Sequence, residues 1–246
     1  MSSRNNKAAR NKLDKLERAL HKKLLTFYNS KIKGLPIPVD ILKQKYNQQV
    51  QEIIRKTAQD SYIAGTEQVG DQVLNKDQSF QLFISTTDLN NIQALTSRLS
   101  NDFWDTARRL QDRESAVTPE GKPKPSLDHI AALSAIAAGV AFSAFNNAVL
   151  SKSSQVTSIP PPVPPPGLSP DPFALDEVDQ GLDITTDFTI ERIGRVRFVT
   201  QNDAKVDPDI CAPLHGMEWF VDDPSIITPP DDTHPNCRCT LESVIE

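Results

Sequence analysis

Between Ile159 and Pro172 the chain carries the run Pro160-Pro161-Pro162-Val163-Pro164-Pro165-Pro166, then Gly167 and two more prolines, Pro170 and Pro172. Proline fixes φ and has no amide hydrogen to donate, so neither a helix nor a central strand can pass through this block. The segment reads as a stiff polyproline II spacer, preferred here over a ligand for an SH3-type domain. It divides the chain into a first part, residues 1–158, and a second part, residues 173–246, with the linker at 159–172.

Before the block the apolar residues recur with helical period. Leu13, Leu16, Leu20, Leu24 and Phe27 form one stripe, with lysines and arginines on the other face, and Gly34, Pro36 and Pro38 end it. The spacing predicts a basic amphipathic helix within residues 1–34. A second stripe, Leu42, Tyr46, Val50, Ile54, Ala58, Tyr62, Gly65, Val69 and Val73, predicts one long helix, or two that bend near Gly65 or Gly70. A third, Ile92, Leu95, Leu99, Phe103, Ala107 and Leu110, starts after Thr86-Thr87-Asp88, whose short polar side chains suit an N-cap. After a polar loop from Glu114 to Ser126 comes an uncharged, Ala-rich stretch, Ile130 to Leu150. It is long enough to span a bilayer. Its alanines and its polar Ser134, Ser143, Asn146 and Asn147 favour instead a buried central helix, and no contact with a membrane. Residues 39–158 are therefore expected to form a helical region with the character of a bundle.

Hydrophobic residues make up 38 % of the 246 and aromatics 6 %, so a core requires extensive helix packed along stripes. The net charge of -5 is unevenly spread. Residues 1–34 hold ten Lys/Arg against two Asp/Glu, and the chain from Asp171 onward holds five against seventeen. The basic end is a candidate contact for DNA, or simply a solvated helix face.

Beyond the linker the period changes. Phe188 and Ile190, then Val196, Phe198 and Thr200, alternate with polar residues about Gly194-Arg195 and predict two short strands in a hairpin. From Gln201 the chain is polar and Pro-rich, a composition that needs a staple to hold a structure.

The staple is predicted from the cysteines. All three, Cys211, Cys237 and Cys239, fall in the last 36 residues, with His215 and His234 among them. The pattern is Cys-x3-His, then His-x2-Cys-x-Cys. No secretory signal is read at the basic N-terminus, so zinc is preferred over a disulfide or inert buried thiols. His234-Pro235-Asn236-Cys237 has the residues of a tight turn, which lets its two ends meet one ion. The simplest ligand set is Cys211, His234, Cys237 and Cys239, with His215 as a substitute for Cys237 or Cys239. A structural zinc is expected rather than a catalytic one. The competing expectation is a zinc-dependent hydrolase or nuclease using His215 and His234, although no HExxH or similar arrangement is present. Asp203, Asp207, Asp209, Asp222 and Asp223 lack a spaced loop motif and are read as surface residues.

The ending His234-Pro235-Asn236-Cys237-Arg238-Cys239, preceded by Pro229-Pro230, resembles the signature of the phage Mu protein F-like family of minor head (head morphogenesis) proteins. Phe198-Val199-Thr200, Asp203 and Cys211-Ala212-Pro213-Leu214-His215-Gly216 are similar to that family's strand and turn, and Trp219 falls on an aromatic position of the strand that follows. The likeness covers about Arg192 to Leu241. Many members carry a further cysteine three positions before the one matching Cys211, where this chain has Pro208. His215 stands where members often have Asp, and is a candidate replacement ligand.

The resemblance implies a non-enzymatic virion protein of a tailed virus or provirus. It would associate with the portal protein and other head proteins, and with copies of itself, in the host cytoplasm during assembly and then in the head. Its work would be in head assembly or in DNA packaging and ejection. The expected fold class is mainly α, a helical bundle in the N-terminal region, plus a small α+β C-terminal domain stapled by its Cys/His metal site.

Overall fold

The computed structural model describes residues 2–73, 84–115, 128–157, 194–201 and 206–244. The linker at 159–172 and the strand expected at Phe188 and Ile190 lie outside them. The protein is mainly helical with a small antiparallel sheet. Its elements are α1 (Ser2–Lys31), α2 (Val39–Val73), α3 (Thr86–Ser115), α4 (Asp128–Thr157), β1 (Arg195–Val199), β2 (Glu218–Phe220) and β3 (Thr240–Val244).

Each predicted stripe faces the interior. On α1, Leu13, Leu20, Leu24 and Phe27 are buried and Leu16 is half-buried. The helix ends where Gly34 takes φ +71°, with the amides of Ile32 and Lys33 both donating to the Tyr28 carbonyl. The loop into α2 is held from across the bundle. Gln111 of α3 donates to the carbonyls of Leu35 and Ile37 and accepts from the Val39 amide at 3.1 Å.

Helix α2 runs unbroken through Gly65 and Gly70, which removes the two-helix alternative. Gly65 serves packing: a Cβ there would lie 2.5 Å from the Phe145 carbonyl oxygen and 2.8 Å from Ala148 Cβ. The missing side chain lets α2 approach the backbone of α4. The start of α3 differs by one residue from the expectation. Ser85 is the cap, its hydroxyl accepting from the Asp88 amide at 3.1 Å, while Asp88 returns a bond from the Ser85 amide at 2.7 Å. This reciprocal pair is a capping box with Asp at its far corner.

Helix α4 is central, packing against all three other helices and against β1 and β3. It is the one described helix long and apolar enough to cross a membrane, and 78 % of its most apolar window is buried within the molecule. Its buried alanines divide between the core of the bundle, with Ala137, Ala144 and Ala148, and the cluster under the sheet, with Ala138, Ala141, Phe142 and Phe145.

The sheet order is β2-β1-β3. Val196 pairs with Trp219 on one side and with Ser243 on the other. Because β1 is flanked on both edges, the hairpin expected with the preceding segment is not the pairing β1 makes. Strand β3 carries no clean alternation because four of its five residues are buried. Val196, Phe198, Trp219 and Leu241 close over Ala138, Ala141, Phe142, Phe145 and Val149 of α4. The C-terminal module thus borrows apolar surface from the bundle, which corrects the expectation that coordination alone must hold it.

Candidate metal centre

Two local structures bring the cysteines together. Cys211 sits in a helical turn that begins at Asp207. The Asp207 carboxylate accepts from the amides of Asp209 and Ile210, each at 2.9 Å, and its carbonyl accepts from the Cys211 amide at 2.9 Å. Gly216, at φ +82°, ends the turn. The other half is the predicted turn: the Cys237 amide donates to the His234 carbonyl at 3.0 Å, and Asn236 takes φ +71°. Proline suits the second place of such a turn, and asparagine tolerates the left-handed third place.

The three sulfurs lie within 4.8 Å of one another, with Cys211 Sγ and Cys237 Sγ 3.7 Å apart. All three thiols are free and buried, so the disulfide alternative is not formed. Sulfurs bound to tetrahedral zinc at about 2.3 Å sit about 3.8 Å apart, and the observed spacing suits that geometry.

His234 lies beside the cluster, half-buried, and reaches one of its sulfurs. Its Nε2 is 3.1 Å from Cys211 Sγ, and its Nδ1 is 3.0 Å from the Pro235 carbonyl oxygen. That oxygen only accepts, so Nδ1 carries a proton and Nε2 is the ring nitrogen turned toward Cys211. The three thiols could hold a metal ion, while His234, which touches one of them, is not among the donors that lie within 4.8 Å of one another. The thiols also perturb one another. The hydrogen bond from Cys239 lowers Cys237 to about 6, overcoming the upward effect of burial. Burial raises Cys211, and the hydrogen bond to Cys237, followed by burial, raises Cys239.

His215 is placed elsewhere. It is exposed, and its Nδ1 faces the Thr200 hydroxyl at 2.9 Å and accepts from the Thr200 amide at 3.2 Å. It is not among the residues whose donor atoms converge. Asp207 and Asp223 serve as turn caps, Asp223 accepting from the Ser225 amide and hydroxyl, which lower its pKa.

Two anchoring residues were not anticipated. Arg238, between two of the cysteines, pairs with Asp14 and Glu17 of α1, the latter at 2.8 Å, and lies over the Phe142 ring. Asn146 of α4 is fully buried, donates to the carbonyls of Pro229 and Cys239, and accepts from the Leu241 amide at 2.9 Å. Its presence in an uncharged helix was the available signal, since a buried amide needs partners. Arg98 and Ser143 add bonds to Asp231 at 2.8 and 3.0 Å.

These features define a mainly helical protein whose small sheet module carries a cluster of three cysteines that could hold a metal ion. In comparisons with known proteins, no family model, curated protein or solved structure matches the chain.

Proposed function

We propose that this chain is a minor head (head morphogenesis) protein of a tailed virus or provirus, and that a structural zinc on Cys211, His234, Cys237 and Cys239 closes its C-terminal module. The portal and other head proteins are its partners in head assembly or in DNA packaging and ejection. The supporting observation is the hexapeptide from His234 to Cys239. It carries the likeness to the Mu F-like family, and it also supplies three of the four donors and the arginine that docks on α1. Four protein ligands leave no open position for a substrate or activated water, which favours a structural metal.

Two measurements test the two parts separately. Purified full-length protein should hold about one zinc per chain, and Cys237→Ser should lower that content and expose the chain after Pro166 to protease. Unchanged zinc and protease resistance would remove the metal. For the assignment, tailed particles from the virus or induced provirus that encodes the chain should contain it in few copies, crosslinked to portal protein. Its absence from purified particles would sink the head-protein reading.

A further inference from the structure

The outer face of α1 is unusual in its charge. The helix has only two acidic residues, Asp14 and Glu17, and both are turned toward the module, where Arg238 binds them. Their side chains keep 23 % and 6 % exposure, so they scarcely offset the charge outside. Several of its lysines and arginines are left on the solvent side. Lys7, Lys15, Arg18 and Lys22 are all exposed, Arg18 with 76 % of its side chain accessible.

At 3.6 residues per turn these four lie within about 80° of one another around the helix, and at 1.5 Å per residue the line from Lys7 to Lys22 is about 22 Å long. Two neighbouring cations are already engaged and do not belong to it. Lys12 pairs with Glu67 at 2.7 Å, and Arg10 turns inward to Glu242 at 3.5 Å. Arg18 is only 3.9 Å from a carboxylate oxygen of Asp14, whose other oxygen faces Arg238.

The rest of the face indicates which polyanion fits. Phe27 and Tyr28, the aromatics of α1, are both buried, so no ring is offered for stacking on unpaired bases. Among the described side chains of α1 none is a large exposed hydrophobic, so nothing is offered for insertion into a lipid surface. What remains is a row of cations along one face of a helix, suited to a row of phosphates. We infer that the outer face of α1, through Lys7, Lys15, Arg18 and Lys22, is a sequence-independent docking surface for the backbone of double-stranded DNA. The inference stands on charge and exposure, independently of the metal and of the family resemblance.

The test is a titration of full-length protein with a fluorescent duplex of arbitrary sequence over a range of salt. Each phosphate contact removed should reduce the log-log salt slope by about 0.9. The variant Lys15→Glu/Arg18→Glu/Lys22→Glu should therefore lose roughly 2.7 of slope, with at least about a tenfold loss of affinity at low salt. A control with the same change in charge, Lys45→Glu/Lys56→Glu/Arg109→Glu, alters exposed positions on α2 and α3. It should leave most of the binding intact, and circular dichroism should show both variants folded.

No duplex binding at low salt overturns the inference. So does equal weakening by both triples, which would mark a response to net charge alone. A third arm uses polyglutamate. If only that ligand depends on the α1 triple, the face belongs to an acidic protein partner and the DNA assignment fails.

Discussion

Asp88 shows how one side chain can hold three helices. It is 1 % exposed, at the start of α3, and receives hydrogen bonds from Tyr62 of α2 and from Ser151 and Lys152 of α4. Lys152 is itself fully buried, so this is an ion pair within the bundle. Burial alone would raise the carboxyl pKa. The bonds from Lys152, Tyr62, the Ser85 amide and Ser151 outweigh it and hold the group well below the usual range. Burial, followed by the Asp88 bond, pushes the Tyr62 phenol upward. A depressed folded-state pKa gives stability that is present above the unfolded value, near about 4, and lost as pH falls below it. Urea unfolding should therefore show wild type well ahead of Asp88→Asn at pH 6, with the gap narrowing toward pH 2. A gap independent of pH would mean the carboxylate charge is not what matters. Lys152→Met, which strands the buried carboxylate, should cost about 3–5 kcal/mol at neutral pH. The sequence offered Asp88 as a capping residue and stopped there. Its pairing with Lys152 depends on two helices meeting 64 positions apart, which local spacing does not reveal.

For the elements, periodicity carried most of the information. Three stripes became three helices because apolar residues at steps of three and four leave a helix one face to bury, and the uncharged Ala-rich stretch became the fourth, buried nearly all round. Gly65 was legible as an anomaly, but its meaning was not: a glycine in a stripe suits a bend or a close approach equally, and only the partner decides. Here Phe145 and Ala148 of α4 occupy the space, and at Gly139 the nearest foreign atom is Leu99 Cδ2 at 3.5 Å. The two glycines should respond oppositely to alanine. Gly65→Ala forces α2 from α4 and should destabilise by about 1–3 kcal/mol. Gly139→Ala meets an ordinary contact and should gain about 0.5–1 kcal/mol from reduced backbone freedom. Denaturant midpoints for the two variants settle it, and a loss at both positions would show that Gly139 also needs its small size. The strands were less legible: β1 alternates, but β2 is three residues long and β3 is buried on both faces, so neither has the period-two signature.

Across the whole molecule, the proline block divides the chain in sequence while the apolar cluster joins it in space. Val196, Phe198, Trp219 and Leu241 need α4, and the chain before the block gives no sign of that debt to a distant segment. The cysteine cluster could be read because its chemistry is local and rare, whereas Arg238 and Asn146 anchor the module through partners more than eighty residues away. Their geometry makes the bundle and the module one cooperative unit. Asn146→Leu keeps the helix apolar but leaves the Leu241 amide and the Pro229 carbonyl without their partner, at about 1–3 kcal/mol for each buried group left unpaired. The thermal midpoint of the helical circular dichroism signal should fall in this variant, although the substitution lies in neither the sheet nor the cysteine cluster. If the proposed zinc site is right, metal content should stay that of wild type, because no cysteine of the cluster has changed. If the helices melt as before while only residues beyond 206 become protease-sensitive, the module is an independent passenger on α4. If midpoint and protease resistance fall together, each half of the chain supplies part of the other's core, and no cut at the proline linker yields two stable pieces.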